Sequence, residues 1–337
     1  MADHMDIDGH GIVTLSLNFN EEQLQGKGED SALRITYTRN AALIASMDGC
    51  GGAGSMLYSK ENYDSGARIA SRHVGQALAR WFTEKGYGIE GTGGKTADQL
   101  AAEMKAAIDT ELHRVNDEIG YEATGIQSRL ARIFPTTLAG VLAEVTGDDT
   151  VRCVFFWAGD SRAFLFPTSG LQQMTRDDIR GKADPFISLE EDSRLTNLVC
   201  FDRDYTIHTR EVTVTEPCIL LSSTDGCFSY FRSPMEFEWF LLDTMRCSET
   251  PLQWEQTLKS VFGGFAADDY TMDLVVLGFR NWEAIRTAYD RRWSEFKYTY
   301  HLPLQEILEK QDREAHLALW NKYKEHYLPE IPEDRRQ

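Results

Sequence analysis

The chain lacks any apolar run long enough to cross a membrane. None of its uninterrupted hydrophobic stretches approaches the roughly 20 residues that a transmembrane helix needs. Its first residues, Met1 to Asp8, are acidic, whereas a secretory signal begins with basic residues and continues with apolar ones. These two absences predict a cytoplasmic protein.

Basic residues are scarce relative to acidic ones. The 337 residues include 35 Lys and Arg against 53 Asp and Glu, which gives a formal net charge of −18 at pH 7. Proteins that bind nucleic acid or anionic membranes depend on basic side chains that neutralise phosphates. The charge therefore argues against nucleic acid and membrane surfaces as partners.

Closely paired cysteines are also missing. The six cysteines stand apart in the sequence, at positions 50, 153, 200, 218, 227 and 247. A chain of this size does not need a disulfide framework, so we expect reduced thiols. A cysteine nucleophile acting on phosphate would also need an arginine at a fixed distance, and Arg232 is one residue too close to Cys227.

A nucleotide-binding loop is incomplete. The stretch from Gly91 to Thr96 ends in Gly-Lys-Thr, but position 89 is Ile where such a loop has Gly, and a helical pattern rather than a strand precedes it. We therefore interpret the stretch as a connector, and a nucleotide-dependent enzyme is disfavoured.

Aspartates, by contrast, stand repeatedly at the ends of apolar runs that indicate buried strands. Asp48 follows Ala42–Met47 and opens a glycine-rich stretch, Asp160 and Asp225 each follow a further run, and Asp268-Asp269 precede another. Mg²⁺ and Mn²⁺ prefer carboxylate, carbonyl and water oxygens, so the converging acids would form a metal site. The alternative for Asp48-Gly49 is a surface hairpin, because Asp-Gly is a common turn dipeptide.

In chain order, five motifs resemble those of the metal-dependent protein phosphatases, the protein phosphatase 2C family. They are Asp48-Gly49-x-Gly51-Gly52, Pro135-Thr136-Thr137, Gly159-Asp160-Ser161-Arg162, Ser223-Thr224-Asp225-Gly226 and Asp268-Asp269-Tyr270-Thr271. The resemblance implies an α+β fold, a four-layer α-β-β-α sandwich of two antiparallel sheets flanked by helices. It runs from about Gly11 to Phe279, so we predict a phosphatase domain over residues 1–280.

The resemblance also implies roles for particular residues around two or three Mn²⁺ or Mg²⁺ ions. Asp48, Asp225 and Asp268 are the expected catalytic and metal-binding carboxylates, with Asp48 bridging two ions, and Gly49 contributes its carbonyl oxygen. Glu29 and Asp30 are expected to act through metal-bound water. Asp160 is expected to help hold a third ion, and its alternative is a salt bridge with Arg162.

One position departs from the family pattern. The family holds the substrate phosphate with an arginine a few residues before the Glu29-Asp30 pair, whereas this chain has Gln25 there. Lys27 is close enough in sequence to substitute, although an ammonium group does not reproduce the planar fork of a guanidinium.

The function implied by the resemblance is a signalling enzyme, a Mn²⁺- or Mg²⁺-dependent serine/threonine protein phosphatase. It would hydrolyse phosphomonoesters of phosphoserine or phosphothreonine proteins through direct attack by a metal-bridging water or hydroxide, and a cognate kinase would oppose it. The alternative is a phosphatase-fold regulatory or scaffolding protein with weak or no turnover that binds a partner through its flap or its C-terminal helices.

Helical patterns occupy two further regions. Apolar positions between Ile69 and Phe82 and between Leu100 and Ile119 recur at helical spacing and predict two packing helices, whose His73 and His113 we take as ordinary helix residues. Residues 176–204, called the flap segment below, are charged and lack periodicity, as is usual for a surface segment; in the resembling family a flap beside the metals occupies this interval.

Residues 281–337 form a predicted helical extension. An aromatic stripe from Trp282 to Phe296 indicates one helix, and a second is expected from about Pro303. Such stripes pack either on the phosphatase domain or on another protein, and we favour the first.

Overall fold

The structure is a computed structural model, and it describes residues 11–33, 36–58, 61–119, 131–147, 149–181, 184–189 and 194–329. The acidic start of the chain, Met1 to Asp8, lies outside these ranges. In the described part of the chain, no helix is both long and apolar enough to cross a bilayer.

Two antiparallel sheets form the centre of the molecule, with strands numbered in chain order. The first sheet consists, in spatial order, of β1 (Val13–Glu21), β13 (Tyr270–Leu277), β12 (Cys218–Ser223), β9 (Arg162–Pro167) and β10 (Gln172–Gln173). The second consists of β11 (His208–Val214), β8 (Thr150–Ala158), β7 (Leu138–Gly147), β4 (Ala41–Met47) and β2 (Ser31–Ala32), with β3 (Thr36–Tyr37) also paired to β4. A short hairpin is made by β5 (Leu57–Tyr58) and β6 (Asp64–Ser65).

The apolar runs that indicated strands are buried between these sheets. Every residue of β4, β12 and β13 is buried, because each strand has the other sheet on one side and helices on the other. Ile44 and Val141 of the second sheet share a hydrophobic cluster with Leu220 and Val275 of the first.

Helices cover both outer faces. The second sheet carries α1 (Gly66–Glu84), α2 (Tyr87–Glu90) and α3 (Ala97–Ile119), and their apolar faces share one cluster with its side chains. The first sheet carries α5 (Pro234–Cys247) and α6 (Pro251–Phe265), while the flap segment contains the short α4 (Pro185–Ser188). The expected four-layer α-β-β-α sandwich and its two packing helices are thereby confirmed.

The stretch from Gly91 to Thr96 leads into α3. Thr96 and Gln99 exchange hydrogen bonds between side chain and backbone, which is a capping box at the helix start. A helix start explains the polar composition of this connector.

The C-terminal extension packs on the first sheet and its helices. It comprises α7 (Trp282–Phe296), a π-helical turn (Lys297–His301), α8 (Leu302–Lys310) and α9 (Arg313–Tyr327). Tyr289, Phe296 and Trp320 are at most 2% exposed and belong to the same hydrophobic cluster as Phe164 and Phe166 of β9. Packing within the chain, rather than on another protein, therefore holds for these side chains, while a domain boundary at residue 280 stays a prediction.

The expectation of one helix from Pro303 onward is wrong. Gln311 adopts φ of 53°, a left-handed conformation that ends α8. Asp312 then caps α9 by accepting a hydrogen bond from the backbone of Ala315 at 3.0 Å. Hydrophobic periodicity continues across the break, which is why the pattern alone did not show it.

Candidate functional site

Acidic residues converge on one cavity at the ends of the central strands. The cavity has a volume of about 500 Å³. It is lined by Glu29, Asp30, Asp48, Gly49, Cys50, Gly51, Gly52, Ala53, Asp160, Leu195, Asp268 and Asp269. Six of these side chains are carboxylates and none is basic, so the cavity suits a positively charged occupant.

Asp48 is held through its own backbone where β4 ends. Its N–H donates to Thr137 Oγ1 at 3.1 Å, and its carbonyl accepts from the backbone N–H of Thr137 and from Thr136 Oγ1, each at 2.8 Å. The Pro-Thr-Thr motif therefore positions the Asp-Gly motif. Contact with this neighbouring strand excludes the alternative of a free surface hairpin.

The glycines after Asp48 are required by close approach. A Cβ on Gly49 would lie 2.6 Å from the carbonyl oxygen of Glu29, and one on Gly51 would lie 1.9 Å from Glu29 Oε2. Neither glycine is at positive φ. Because Gly49 and Gly51 have no side chain, the loop can pack directly against Glu29.

Asp160 lies in the turn between β8 and β9. Gly159, at φ of +106°, donates its N–H to Asp178 Oδ2 at 3.0 Å. Arg162 forms two hydrogen bonds with Asp177, at 3.0 and 2.6 Å, and its guanidinium lies 4.1 Å from the Phe228 ring. Arg162 thus forms its ion pair with Asp177, so a brace between Asp160 and Arg162 is not what the structure shows.

Asp30 and Glu29 are positioned by side chains from other elements. Thr224 Oγ1 donates to Asp30 Oδ2 at 2.7 Å, and Ser65 Oγ donates to Glu29 Oε1. Asp269 accepts the backbone N–H of Glu29 at 2.7 Å and that of Gln23 at 2.8 Å. Asp269 therefore fixes the loop that carries Glu29. Sequence reasoning gave it no role, although its place beside Asp268 was the available signal.

Burial and mutual repulsion raise the pKa values of these acids. Burial is the largest cause for Asp48, whose pKa lies well above its usual range, and the charges of Asp225, Asp30, Asp160 and Asp268 raise it further. Burial and then Asp225 raise the pKa of Asp160 to about 8. Burial and then Asp268 raise the pKa of Asp225, at the start of a 3₁₀ turn, to about 6. The acids of four strand ends therefore interact at short range.

Tyr230 is a neighbour of the site that the sequence did not indicate. Burial raises the pKa of its phenol, and the charges of Asp268, Asp225 and Asp48 raise it further. Its side chain is still 39% exposed, so it borders the cavity region from the solvent side. No pattern in the sequence distinguishes it from other surface tyrosines.

The donor chemistry suits a hard divalent cation, because carboxylates and a glycine carbonyl are the ligands that Mg²⁺ and Mn²⁺ prefer. Within the described ranges, however, no three or more His, Cys, Asp or Glu side chains are arranged so that they could hold an ion. Gln25 and Lys27 are exposed, and neither is among the residues that line the cavity. Individual ligand and phosphate-binding roles therefore stay predictions.

Three histidines make contacts with other groups of the protein and do not line the cavity. His73 Nδ1 lies 2.8 Å from Glu111 Oε1 and His113 Nδ1 lies 2.7 Å from the carbonyl of Asp109, as expected for packing helices. His208 of β11 is half-buried, and its Nε2 lies 3.2 Å from Asp178 Oδ1. The hydrogen bond to Asp178 raises the pKa of His208.

A model of the family described as Protein phosphatase 2C matches residues 25–262, well over half of the chain. The chain belongs to this family. The matched region of this protein phosphatase 2C member contains Glu29, Asp48, Asp160 and Asp225, and it ends before Asp268 and before the C-terminal extension. A comparison with curated proteins finds no match.

Solved structures show the same fold. Serine/threonine phosphatase Stp1 from Staphylococcus aureus is 19% identical, with a TM-score of 0.54 over 79% of this chain and 96% of that one. The catalytic domain of serine/threonine protein phosphatase PstP, solved in complex with two manganese ions, is 17% identical, with a TM-score of 0.51 over 79% and 99%. At these identities the likeness establishes the fold of this family member.

Proposed function

We propose that this member of the protein phosphatase 2C family is a Mn²⁺- or Mg²⁺-dependent serine/threonine protein phosphatase. The observation that carries the proposal is a cavity lined by six carboxylates and no basic side chain, in which the pKa values of Asp48 and Asp160 are raised. Divalent cations would neutralise that charge. The manganese bound to the structurally similar PstP domain supports the same choice of ion.

Each residue that the sequence predicts as a metal ligand has a proposed part in holding two or three ions. Asp48, Asp225 and Asp268 would bind through carboxylate oxygens, and Gly49 through its carbonyl. Glu29 and Asp30 would act through water, and Asp160 would contribute to a third ion. When bound, such ions lower the pKa of water and neutralise the oxygens of a phosphoryl group.

The chain's own contribution is to hold these groups in place before substrate arrives. Thr136 and Thr137 fix the backbone of Asp48, Thr224 orients Asp30, and Asp269 fixes the loop of Glu29. Loss of such outer contacts typically costs about 10–100-fold in metal affinity or activity. Lys27 is the proposed contact to the substrate phosphate.

The proposed substrates are phosphoserine and phosphothreonine proteins in the cytoplasm, where an opposing kinase would supply them. Phosphate release from a phosphothreonine peptide and from p-nitrophenyl phosphate tests the proposal. We expect release to require manganese or magnesium, to stop with chelator and to be lost in Asp225→Asn. Asp117→Asn on the exposed face of α3 is the matched control and should retain activity. Activity that survives both chelator and Asp225→Asn would refute the proposal.

A second candidate is a phosphatase-fold regulator with weak turnover. The observation that favours it is the uniformly acidic lining of the cavity, since no Arg or Lys among the lining residues is available to grip a phosphate. Weak release of phosphate at saturating manganese, strengthened by Gln25→Arg, would support this candidate over an efficient enzyme.

A further inference from the structure

The last helix contacts the flap segment through one carboxylate. Trp320 Nε1 of α9 donates to Asp184 Oδ1 at 3.1 Å, and Lys324 Nζ donates to Asp184 Oδ2 at 2.5 Å. Asp184 Oδ1 also accepts the backbone N–H of Phe186 at 3.0 Å and so caps α4. Asp184 thus joins the short helix of the flap segment to the extension.

Aromatic contacts reinforce this connection. Phe186 of α4 is buried, and its ring is nearly parallel to that of Trp320, with centroids 6.1 Å apart. The ring of His316 meets Phe186 edge-on, with centroids 4.7 Å apart. The aromatic stripe of α9 therefore covers the flap segment as well as the first sheet.

A second contact lies behind the turn of Asp160. Tyr327, the last residue of α9, lies beside the guanidinium of Arg162, whose charge opposes the rise that burial causes in the pKa of the phenol, and both side chains are at most 3% exposed. Arg162 holds Asp177 at the start of the flap segment. The adjacent residue, Asp178, exchanges two hydrogen bonds with Gly159, at 3.0 and 2.9 Å.

The flap segment borders the acidic cavity on its other side. Leu195 is one of the lining residues. The backbone of Thr196 donates to Asp178 at 2.7 Å, and Val199 pairs with Thr136, which in turn holds the carbonyl of Asp48. One end of the segment is therefore fixed by α9, and the other forms part of the cavity wall.

From this chain of contacts, we propose that α9 is a positioning element for the flap segment. Lys324, Trp320 and Tyr327 hold it so that Leu195 forms a defined wall of the cavity, against which a phosphoprotein substrate lies. The catalytic consequence rests on the proposed function, while the positioning itself does not. A peptide substrate has residues on both sides of its phosphate that can lie along this wall, whereas a small aryl phosphate has none.

Two conservative substitutions test the proposal. Lys324→Met and Tyr327→Phe each remove one polar contact with little change in volume. Lys310→Met and Tyr298→Phe make the same changes at exposed positions outside α9 and serve as controls. Lys324→Arg keeps the charge at Asp184 and should behave as the unchanged protein.

The first measurement is amide hydrogen exchange in the full chain, with and without manganese. We expect exchange at 175–181, 184–189 and 194–199 to be about tenfold faster in Lys324→Met and Tyr327→Phe, with β7 and β13 unaffected, because local opening needs less free energy once a contact is lost. Unchanged exchange in these ranges overturns the proposal. Equal acceleration in every element also overturns it, since α9 would then act only on overall stability.

The second measurement separates KM from kcat. We expect a three- to tenfold higher KM for a phosphothreonine peptide, with kcat and the kinetics on p-nitrophenyl phosphate unchanged. A parallel loss on both substrates would overturn the positioning role. A protein inactive on every phosphoester would refute the proposed function alone, because hydrogen exchange still decides whether α9 positions the segment.

Discussion

Two regions of the molecule contain carboxylates whose pKa values are shifted in opposite directions. Glu111 in α3 is 3% exposed and contacts His73, Arg80 and Arg114. Although burial raises its pKa, the hydrogen bonds from Arg114, His73 and Arg80 lower it to about 2. The acids of the cavity range from buried Asp30 to exposed Asp268, but no basic side chain lines that cavity, and the pKa values of Asp48 and Asp160 are raised.

The difference separates an acid that stabilises the fold from the acids that we propose bind metal ions. A carboxylate that already pairs with basic side chains of the protein stabilises the fold, and its charge needs no ligand to neutralise it. Carboxylates that repel one another reduce the stability of the fold. Binding cations between them would restore that stability. The contrast gives five predictions, from the largest expected effect to the smallest.

Neutralising one cavity acid should abolish activity without loss of fold. Asp48→Asn is expected to lower kcat by about 10³-fold or more, because metal ions contribute several kcal/mol to stabilising the charge of the transition state. Steady-state kinetics at saturating manganese measures this. Glu111→Gln should retain kcat, and an equal loss in both variants would remove the distinction between the two regions.

Neutralising the structural acid should instead destabilise the fold. We expect Glu111→Gln to lower the free energy of unfolding at pH 7 by about 2–3 kcal/mol, since charge-assisted hydrogen bonds in a buried site are lost. Urea denaturation measures it, with Glu118→Gln on the exposed face of α3 as control.

The pH dependence of the Glu111 effect follows from its lowered pKa. Its contribution is fully present above the unfolded value of 4.5 and is lost as pH falls through about 2. The difference between the two proteins should therefore shrink across that interval. A difference that stayed constant with pH would show that the ion pairs are not its cause.

The cavity acids should give the opposite dependence on pH. The native protein binds more protons than the unfolded chain, because Asp225 and Asp160 have pKa values of about 6 and 8 in place of 3.8. In chelator, stability should then fall as pH rises from 5.5 to 8, because protons bound only in the native protein are released. Urea denaturation across that range tests it. Asp160→Asn should flatten the slope, and an increase in stability over this range would contradict the assigned charges.

The smallest effect concerns the phosphate contact. Gln25→Arg should raise kcat/KM by about three- to tenfold if the missing guanidinium limits turnover, because a bidentate fork binds phosphate oxygens better than a flexible ammonium. Gln23→Arg, also exposed in the same loop, is a control for added charge. Equal gains in both variants would indicate general electrostatic attraction instead.

Local sequence patterns predicted the layers and the strand-end acids. Runs such as Ile219 to Ser223 are buried on both sides and followed by an acid, so periodicity and position were sufficient there. The packing faces of α1 and α3 followed from helical spacing for the same reason.

Contacts between distant segments were not predictable from such patterns. Three such contacts depend on how separate strands meet. Arg162 pairs with Asp177 and not with Asp160, Asp269 fixes the loop of Glu29, and Tyr230 lies near the cavity acids. The meeting of α9 with Asp184 joins residues about 140 positions apart, and no local spacing encodes it.

The aromatic cluster shared by the sheet and the extension limits how the chain can be shortened. Trp239 of α5 stacks with Trp293 and Phe296, and Phe166 of β9 packs against Tyr289. Trimming the gene after Phe279 would leave these rings facing water over a broad apolar patch, which promotes self-association. A shortened chain for expression therefore has to keep α7 to α9, even though those helices contribute no residue to the cavity lining.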